Sequence, residues 1–338
     1  MKRSAALGIV VVGCVAIAAA AAFLGTETPP RTTLEMAPEG TTIVAHLDVA
    51  AILSSPLWQA YVHDDEGMSR IERLCGASPL ESVHTADVYV VGSDESPLAH
   101  LAFLARGPLD LDRLGTCVRQ VVEDDGGGIH EVRIEGVRAI ASDRGDGRAA
   151  FLAADTVVGG DETLVRELIH LDHGSAHPMQ DATLSRLYAI AVARHDVAVA
   201  AIVPDAWRGA IGHALEGAPG LTPLTGSDAV AIGASLAHGG IGLTLAVACA
   251  RESEARRLSE AARAAIDSAL EDPLVRLSAA GMALRRIDLE PRGADLVATL
   301  DLDQDAFEDV VALIREQMGH ARIQMVDGPE PPPAPIEE

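Results

Sequence analysis

The sequence is almost free of lysine and poor in aromatic residues. Lys2 is the only lysine among 338 residues, so the chain cannot form a Walker-type phosphate loop, which requires a lysine after its glycines. Phe, Trp and Tyr make up only 3% of the residues. We therefore expect a core of Ala, Val, Leu and Ile, and a surface that offers few rings for stacking on nucleic acid bases.

Local catalytic motifs are absent as well. The sequence contains no Gly-x-Ser-x-Gly, Ser-x-x-Lys or His-Glu-x-x-His pattern, so neither a nucleophile elbow nor a metalloprotease helix is predicted. We predict a non-enzymatic binding or scaffolding protein with no catalytic, cofactor-binding or metal-binding residues. A catalytic triad assembled from distant residues needs no local motif. An extracytoplasmic hydrolase therefore remains the alternative, with His46 and His100 as the first histidines to inspect.

Positive charge is scarce. The chain has 26 basic and 50 acidic residues, which gives a formal net charge of −24. A surface this acidic repels phosphate backbones. We therefore expect no nucleic acid partner, and we expect a protein partner in the cell envelope whose identity the sequence does not indicate.

The sequence does contain a long apolar N-terminus. Lys2 and Arg3 precede residues 4–25, which carry no charge. A helix over this stretch would be about 33 Å long, enough to cross the hydrocarbon core of a bilayer. Because basic residues stay on the cytoplasmic side, residues 1–25 predict a signal anchor. The chain would cross the bacterial inner membrane once and place its body in the periplasm.

Two other fates of this segment stay open. Small residues at Ala18, Ala20 and Ala22 suit signal peptidase, and cleavage would release a secreted protein. Val-Val-Gly-Cys, ending at Cys14, is similar to the acylation site of bacterial lipoproteins, although the apolar run continues beyond it. Each of the three fates places the body on the far side of the membrane.

The body is bounded by two polar segments. Residues 26–40 contain three prolines and no apolar periodicity, so they predict a linker between membrane and body. Residues 318–338 end in an acidic, proline-rich run that favours polyproline II over a packed element. We predict that this C-terminal segment is a disordered tail.

The order of predicted elements in the body is repeated. Asp87-Val-Tyr-Val-Val-Gly92 and Asp228-Ala-Val-Ala-Ile-Gly233 are matching strands 141 residues apart, and each is followed by another strand and an amphipathic helix. We predict an α+β fold with two repeats, 41–171 and 172–317. Hairpin-linked strands imply mostly antiparallel sheets, and we expect the helices on one face. Whether the repeats share one sheet stays open.

Part of the first repeat is similar to a known group of proteins. The matching segments are Leu74-Cys-Gly-Ala-Ser-Pro-Leu80, Val88–Gly92 and Arg106-Gly-Pro-Leu-Asp-Leu-Asp112, together with Cys117. In these segments the chain resembles uncharacterised bacterial envelope proteins that have a signal or anchor, a duplicated α/β body and no known activity. The resemblance covers about 50 residues well, and it implies an architecture without implying a chemistry.

The four cysteines allow one disulfide within the body. Cys14 lies in the apolar N-terminus and Cys249 in a predicted buried strand, where a thiol behaves as a small apolar group. Cys75 and Cys117 lie on two helices of the first repeat, in an oxidising compartment. We predict a bridge between them, which would stabilise the fold by roughly 3–4 kcal/mol. Two independent buried thiols are the alternative.

Two clusters resemble metal sites but lack necessary partners. The run from Asp301 to Asp305 begins like an EF-hand loop, yet Ala306 and Ala312 stand where that loop needs Gly and Glu. We interpret Asp305 as the N-cap of a helix. Three histidines near the junction of the repeats have no further ligand at a zinc-like spacing, and we interpret their segment as a solvated loop. These are His170, His173 and His177.

Overall fold

A computed structural model describes most of the body of the chain. It covers residues 31–309 except 57, 59–65, 77, 93–98, 194, 206–207, 210–223, 225 and 237–239. The predicted anchor, 1–25, and the predicted tail, 318–338, lie outside the described residues. Among the helices that are described, none combines the length and the apolar character needed to cross a bilayer.

The described strands form one twelve-stranded sheet in which every neighbouring pair is antiparallel. The order across the sheet is β11-β12-β10-β9-β8-β1-β2-β3-β7-β6-β5-β4. The strands are β1 (Thr41–Asp48), β2 (Thr85–Val91), β3 (His100–Arg106), β4 (Ile129–Ile134), β5 (Val137–Ser142), β6 (Gly147–Ala153), β7 (Thr156–Asp161), β8 (Val197–Ile202), β9 (Ala229–Ser235), β10 (Ile241–Ala248), β11 (Ile287–Arg292) and β12 (Asp295–Leu302).

The strand order is matched on the two sides of the β1–β8 pair over three strands each. From this pair the sheet continues outward through β2 and β3 on one side and through β9 and β10 on the other. The strands of residues 41–171 and those of residues 172–317 thus belong to one sheet, which answers the question that the sequence leaves open.

The ladder registers show which residues share a face of this sheet. A continuous row of directly paired residues crosses seven strands on one face. The row consists of Ala102, Tyr89, Val44, Ala200, Ala231, Ala246 and Val297. A constant offset of 141 residues would match Tyr89 with Val230, whose side chain packs on the opposite face. Strands β2 and β9 hold corresponding places, but the residue-by-residue match at 141 is wrong.

Helices cover both faces, so the expectation of helices on one face is wrong. On the Tyr89 face, α4 and α5 pack in the largest core cluster, while α1, α2, α3 and α6 pack on the other face. The central strands need cover on both faces, because successive residues such as Val88, Tyr89 and Val90 are apolar and point to opposite faces. The helices are α1 (Val49–Ser54), α2 (Glu66–Cys75), α3 (Leu111–Asp124), α4 (Glu162–Asp172), α5 (Ala182–Val192), α6 (Glu252–Glu271), α7 (Pro273–Arg276) and α8 (Ala279–Arg285).

Residues 31–40, the described part of the predicted linker, pack against the body. Met36 and Ala37 are buried in the cluster of the Tyr89 face, and the backbone N–H of Met179 donates to the carbonyl oxygen of Ala37 at 2.8 Å. Pro38 and Gly40 give this segment the sequence of a loop, but Met36 and Ala37 anchor it in the core. We refer to residues 31–37 as the N-terminal strap.

Candidate functional site

A buried carboxylate lies at the centre of the sheet. Asp87, on β2, is 0% exposed and stands directly opposite His46 of β1 in the ladder. Its Oδ1 lies 2.7 Å from Nδ1 of His46 and accepts from the hydroxyl of Thr33 at 2.8 Å, while Nη1 of Arg106 donates to Oδ2 at 2.9 Å. A buried charge requires such partners, because desolvation of an isolated carboxylate is prohibitively costly.

This Asp87 network also holds the N-terminal strap in place. Nη2 of Arg106 donates to the carbonyl oxygen of Arg31 at 2.8 Å, and the hydroxyl of Tyr89 donates to the carbonyl oxygen of Thr33 at 3.0 Å. Burial, reinforced by the charge of Asp87, raises the pKa of Tyr89 well above its usual value. The network therefore joins the strap to three adjacent strands.

The Asp87 network does not have the arrangement of a hydrolytic triad. In a triad, the carboxylate binds one ring nitrogen of the histidine and the nucleophile binds the other. Here the hydroxyl of Thr33 lies on the Asp87 side, 3.5 Å from Nδ1 of His46. Within the described residues, no hydroxyl or thiol is hydrogen-bonded to Nε2 of His46. The second histidine to inspect, His100, lies at the surface, where its Nδ1 is 3.0 Å from Asp161.

A cleft of about 510 Å³ opens on the same face of the sheet, between α5 and the outer strands β10 and β12. One stripe of α5 forms its first wall, and His195 follows where the helix ends. Strands β10 and β12 supply the floor, and Arg292 of β11 stands at the far side. The described residues that line it are Arg186, Ala189, Ile190, Ala193, His195, Thr244, Arg292, Val297 and Thr299.

Small residues of the sheet leave room for the histidine of the cleft. Nε2 of His195 lies 2.7 Å from the hydroxyl of Thr244. Beneath it, Gly233 has no side chain, and a Cβ there would come within 2.1 Å of Cδ2 of His195 and 2.5 Å of the carbonyl oxygen of Ala191. The glycine that ends the repeated strand motif is therefore required by the close approach of His195 and α5.

Each arginine of the cleft is held by a carboxylate. Nε and Nη2 of Arg186 donate to the two carboxylate oxygens of Asp295 at 2.8 and 2.9 Å, and these hydrogen bonds raise the pKa of the guanidinium. Arg292 donates from Nε and Nη2 to Glu290 at 2.8 and 2.6 Å. The cleft thus presents oriented guanidinium groups beside an apolar wall.

The predicted disulfide is present. Cys75 at the end of α2 and Cys117 on α3 are bonded, with their Cα atoms 4.6 Å apart. Cys249 is a free, buried thiol, and burial raises its pKa. The bridge lies on the face opposite the cleft, since α2 and α3 pack on that face.

The two clusters that resemble metal sites in the sequence contain local hydrogen bonds in the described part of the chain. Nδ1 of His170 lies 3.1 Å from the hydroxyl of Ser175, and no group of three or more potential metal ligands occurs among the described residues. The prediction that Asp305 is the N-cap of the following helix is wrong by two residues, because Asp303 is the cap. Oδ1 of Asp303 accepts from the N–H of Ala306 at 2.9 Å, and this bond, with that from Arg286, lowers the pKa of Asp303.

Comparison with known proteins finds only distant structural likeness. No protein family and no curated protein matches the sequence. Crystal form III of TP0453, a Treponema envelope protein, aligns with a TM-score of 0.48 at 9% identity and covers 84% of this chain and 99% of that chain. Crystal form IV aligns with a TM-score of 0.47 at 10% identity, covering 82% and 96%. Likeness at this level carries no argument about the function of the chain.

Proposed function

We propose that this chain is a non-enzymatic binding protein of the bacterial cell envelope, built as two α+β repeats. Residues 1–25 would tether it to the inner membrane and leave the body in the periplasm, as Lys2 and Arg3 before an uncharged span favour. The cleft beside α5 is the observation that carries the proposal of binding, and we assign ligand recognition to it.

The cleft has the properties of a small-molecule site. Its volume of about 510 Å³ lies within the range of roughly 300–1,000 Å³ that is usual for such sites. Its walls are mostly apolar, and a few polar groups converge on it from different elements: His195 and Thr244 from one side, Arg186 and Arg292 from two others. An apolar wall supplies affinity, and a small number of placed polar groups supplies orientation.

The Asp87 network supports the same proposal by its role in the fold. It positions the strap and the central strands, and among the residues that the structure describes no nucleophile is bonded to the ring nitrogen of its histidine that a hydrolase would use. We therefore expect the purified protein to show no turnover of esterase, phosphatase or peptidase substrates. Turnover that disappears in the variant His46→Gln would support a hydrolase and contradict the proposal.

A neutral fluorescent probe tests the binding site. Nile red should bind the protein with increased emission, and the variant Ala189→Trp should abolish this binding, because Ala189 lines the cleft and its replacement fills the space. The control variant Ala264→Trp adds the same ring to an exposed alanine of α6 and should bind as the unmodified protein does. Equal binding by both variants would show that the probe occupies another surface, and the cleft would lose its assigned role.

A further inference from the structure

The described lining of the cleft contains arginine and no carboxylate, in a protein that is otherwise acidic. Acidic residues outnumber basic ones by 50 to 26 over the whole chain. Among the described residues that line the cleft, however, there are two arginines, one histidine and no carboxylate. Asp295 and Glu290 balance the charges of these arginines, but the groups that line the cleft are the guanidinium donors, and these favour an anionic group on the occupant.

Arg186 is oriented so that it can donate into the cleft. Its bonds to Asp295 use Nε and Nη2, and they leave Nη1 for another acceptor. The side chain is 47% exposed, whereas that of Asp295 is only 4% exposed. The carboxylate therefore stands behind the guanidinium and fixes its plane, while the guanidinium edge remains within reach of a ligand. A guanidinium held in this way loses little side-chain entropy when it binds an oxyanion.

Arg292 offers a second donor from the opposite side. It lies at the end of β11, and its bonds to Glu290 also use Nε and Nη2. Its side chain is 52% exposed. Two guanidinium groups that approach one space from α5 and from β11 match the several acceptor oxygens of a carboxylate or a phosphate.

The remaining lining determines the rest of the ligand. Ala189, Ile190, Ala193 and Val297 supply the apolar part of the lining. An inorganic ion would leave this surface hydrated, and a purely apolar molecule would leave the arginines without an acceptor. The site therefore suits a molecule that has both parts.

We infer that the ligand of the cleft is an amphiphile with an apolar body and a single anionic group, either a carboxylate or a phosphate. This inference rests on the proposed function, because it names the ligand class of the same cleft. Arg292 and Arg186 bind the anionic group. The hydroxyls of Thr244 and Thr299, at the floor of the cleft, form further hydrogen bonds with the ligand.

Decyl compounds that share one tail and differ in their head groups test this inference. The full-length protein in neutral detergent is titrated with decanoate, decyl phosphate, decanol and decylammonium, and displacement of Nile red is measured. Decanoate and decyl phosphate should bind about tenfold more tightly than decanol, which corresponds to one charge-assisted contact. Decylammonium should bind least, and acetate and inorganic phosphate should not displace the probe.

A matched pair of arginine variants assigns the effect to the cleft. Arg292→Met keeps the apolar stem and removes the charge, and it should reduce the affinity for decanoate to about that for decanol. Arg256→Met removes an exposed arginine of α6, outside the cleft, and should change neither affinity. We prefer Arg292 for this test, because replacing Arg186 would leave the buried Asp295 without its partner.

The outcomes separate this inference from the proposal on which it rests. If decanol or decylammonium binds as tightly as decanoate, or if Arg292→Met leaves the preference for decanoate unchanged, the anionic ligand is refuted and the cleft remains a binding site. If no decyl compound displaces the probe and Ala189→Trp leaves Nile red binding intact, the proposed function fails as well. Displacement by inorganic phosphate alone would refute the amphiphile.

Discussion

The substitution Asp87→Asn tests whether the Asp87 network stabilises the fold. It keeps the shape of the side chain and removes its charge. The carboxylate has hydrogen-bond partners on Thr33, His46 and Arg106, and an amide replaces one of its acceptor oxygens by a donor. The N–H₂ group of the amide must then face at least one of these three donors at short range, and that donor loses its hydrogen-bond acceptor.

The size of the effect follows from burial. The carboxylate of Asp87 is 0% exposed and the side chain of Arg106 is 19% exposed. Removal of one partner from a buried ion pair typically costs about 3–5 kcal/mol, because the remaining charge is left uncompensated. A loss of this size should lower the Tm by on the order of 10 °C in a protein of this length. The strap should also loosen, since Arg106 then no longer has an anchor for its bond to Arg31.

The variant Asp228→Asn is the matched control. The sequence motif pairs Asp228 with Asp87, but the side chain of Asp228 is 65% exposed and lies 3.2 Å from Arg208. An exposed pair of this kind contributes about 0–1 kcal/mol. Urea unfolding followed by far-UV circular dichroism should therefore separate the two variants by at least about 2 kcal/mol. If Asp87→Asn costs no more than Asp228→Asn, the network is not a stabilising element and our reasoning is wrong.

Four further predictions concern other parts of the molecule. Reduction of the Cys75–Cys117 disulfide, which closes a loop with a sequence separation of 42 residues, should cost about 4 kcal/mol and lower the calorimetric Tm; a variant with both cysteines replaced by serine should not respond to reductant. Gly233→Ala should cost about 1–3 kcal/mol in urea unfolding, because its Cβ overlaps His195 and backbone, whereas Gly147→Ala, which meets no atom within 4 Å, should change stability little. Burial raises the pKa of Tyr188 from 10.0 to about 12, so the unfolded chain ionises first; stability that is intact below pH 10 should fall between pH 10 and 12, and Tyr188→Phe should reduce this fall. A periplasmic reporter enzyme fused to the C-terminus should be active, and activity of a cytoplasmic reporter instead would reverse the predicted topology.

The architecture was predictable where the sequence repeats a strong local pattern. Alternating or continuous apolar runs bounded by turns predict strands such as Asp87–Gly92, and the i, i+3, i+4 stripe through Cys117 predicts α3. The stripe also points the sulfur of Cys117 inward, and the structure places Cys75 against it. That the strands of residues 41–171 and 172–317 form one sheet was not predictable, because pairing between β1 and β8 joins residues 150 or more positions apart and leaves no local signal.

The candidate site was less accessible to sequence analysis than the fold. Asp87 is an acidic residue at the start of an apolar strand, and that position is the only signal of its burial. Its partners Thr33, His46 and Arg106 come from separate elements, so no spacing rule relates them. The cleft is assembled from α5 and three strands in the same way. An apparent match at a constant offset was misleading, because an error of one residue in the match exchanges the two faces of a strand.

The two halves use one face of the shared sheet in different ways. In the first half, a tyrosine stands in the row that crosses the sheet, and Asp87, Arg106 and the strap fill the space above it with charge and hydrogen bonds. In the second half, the same row holds only alanine until Val297, and Gly233 lies beside it. Small side chains lower the floor, so that α5 and His195 sit close to the sheet and a cleft remains beyond them. The two halves of the sheet thus differ on this face, because charged and hydrogen-bonded groups fill the first half and an open cleft remains in the second.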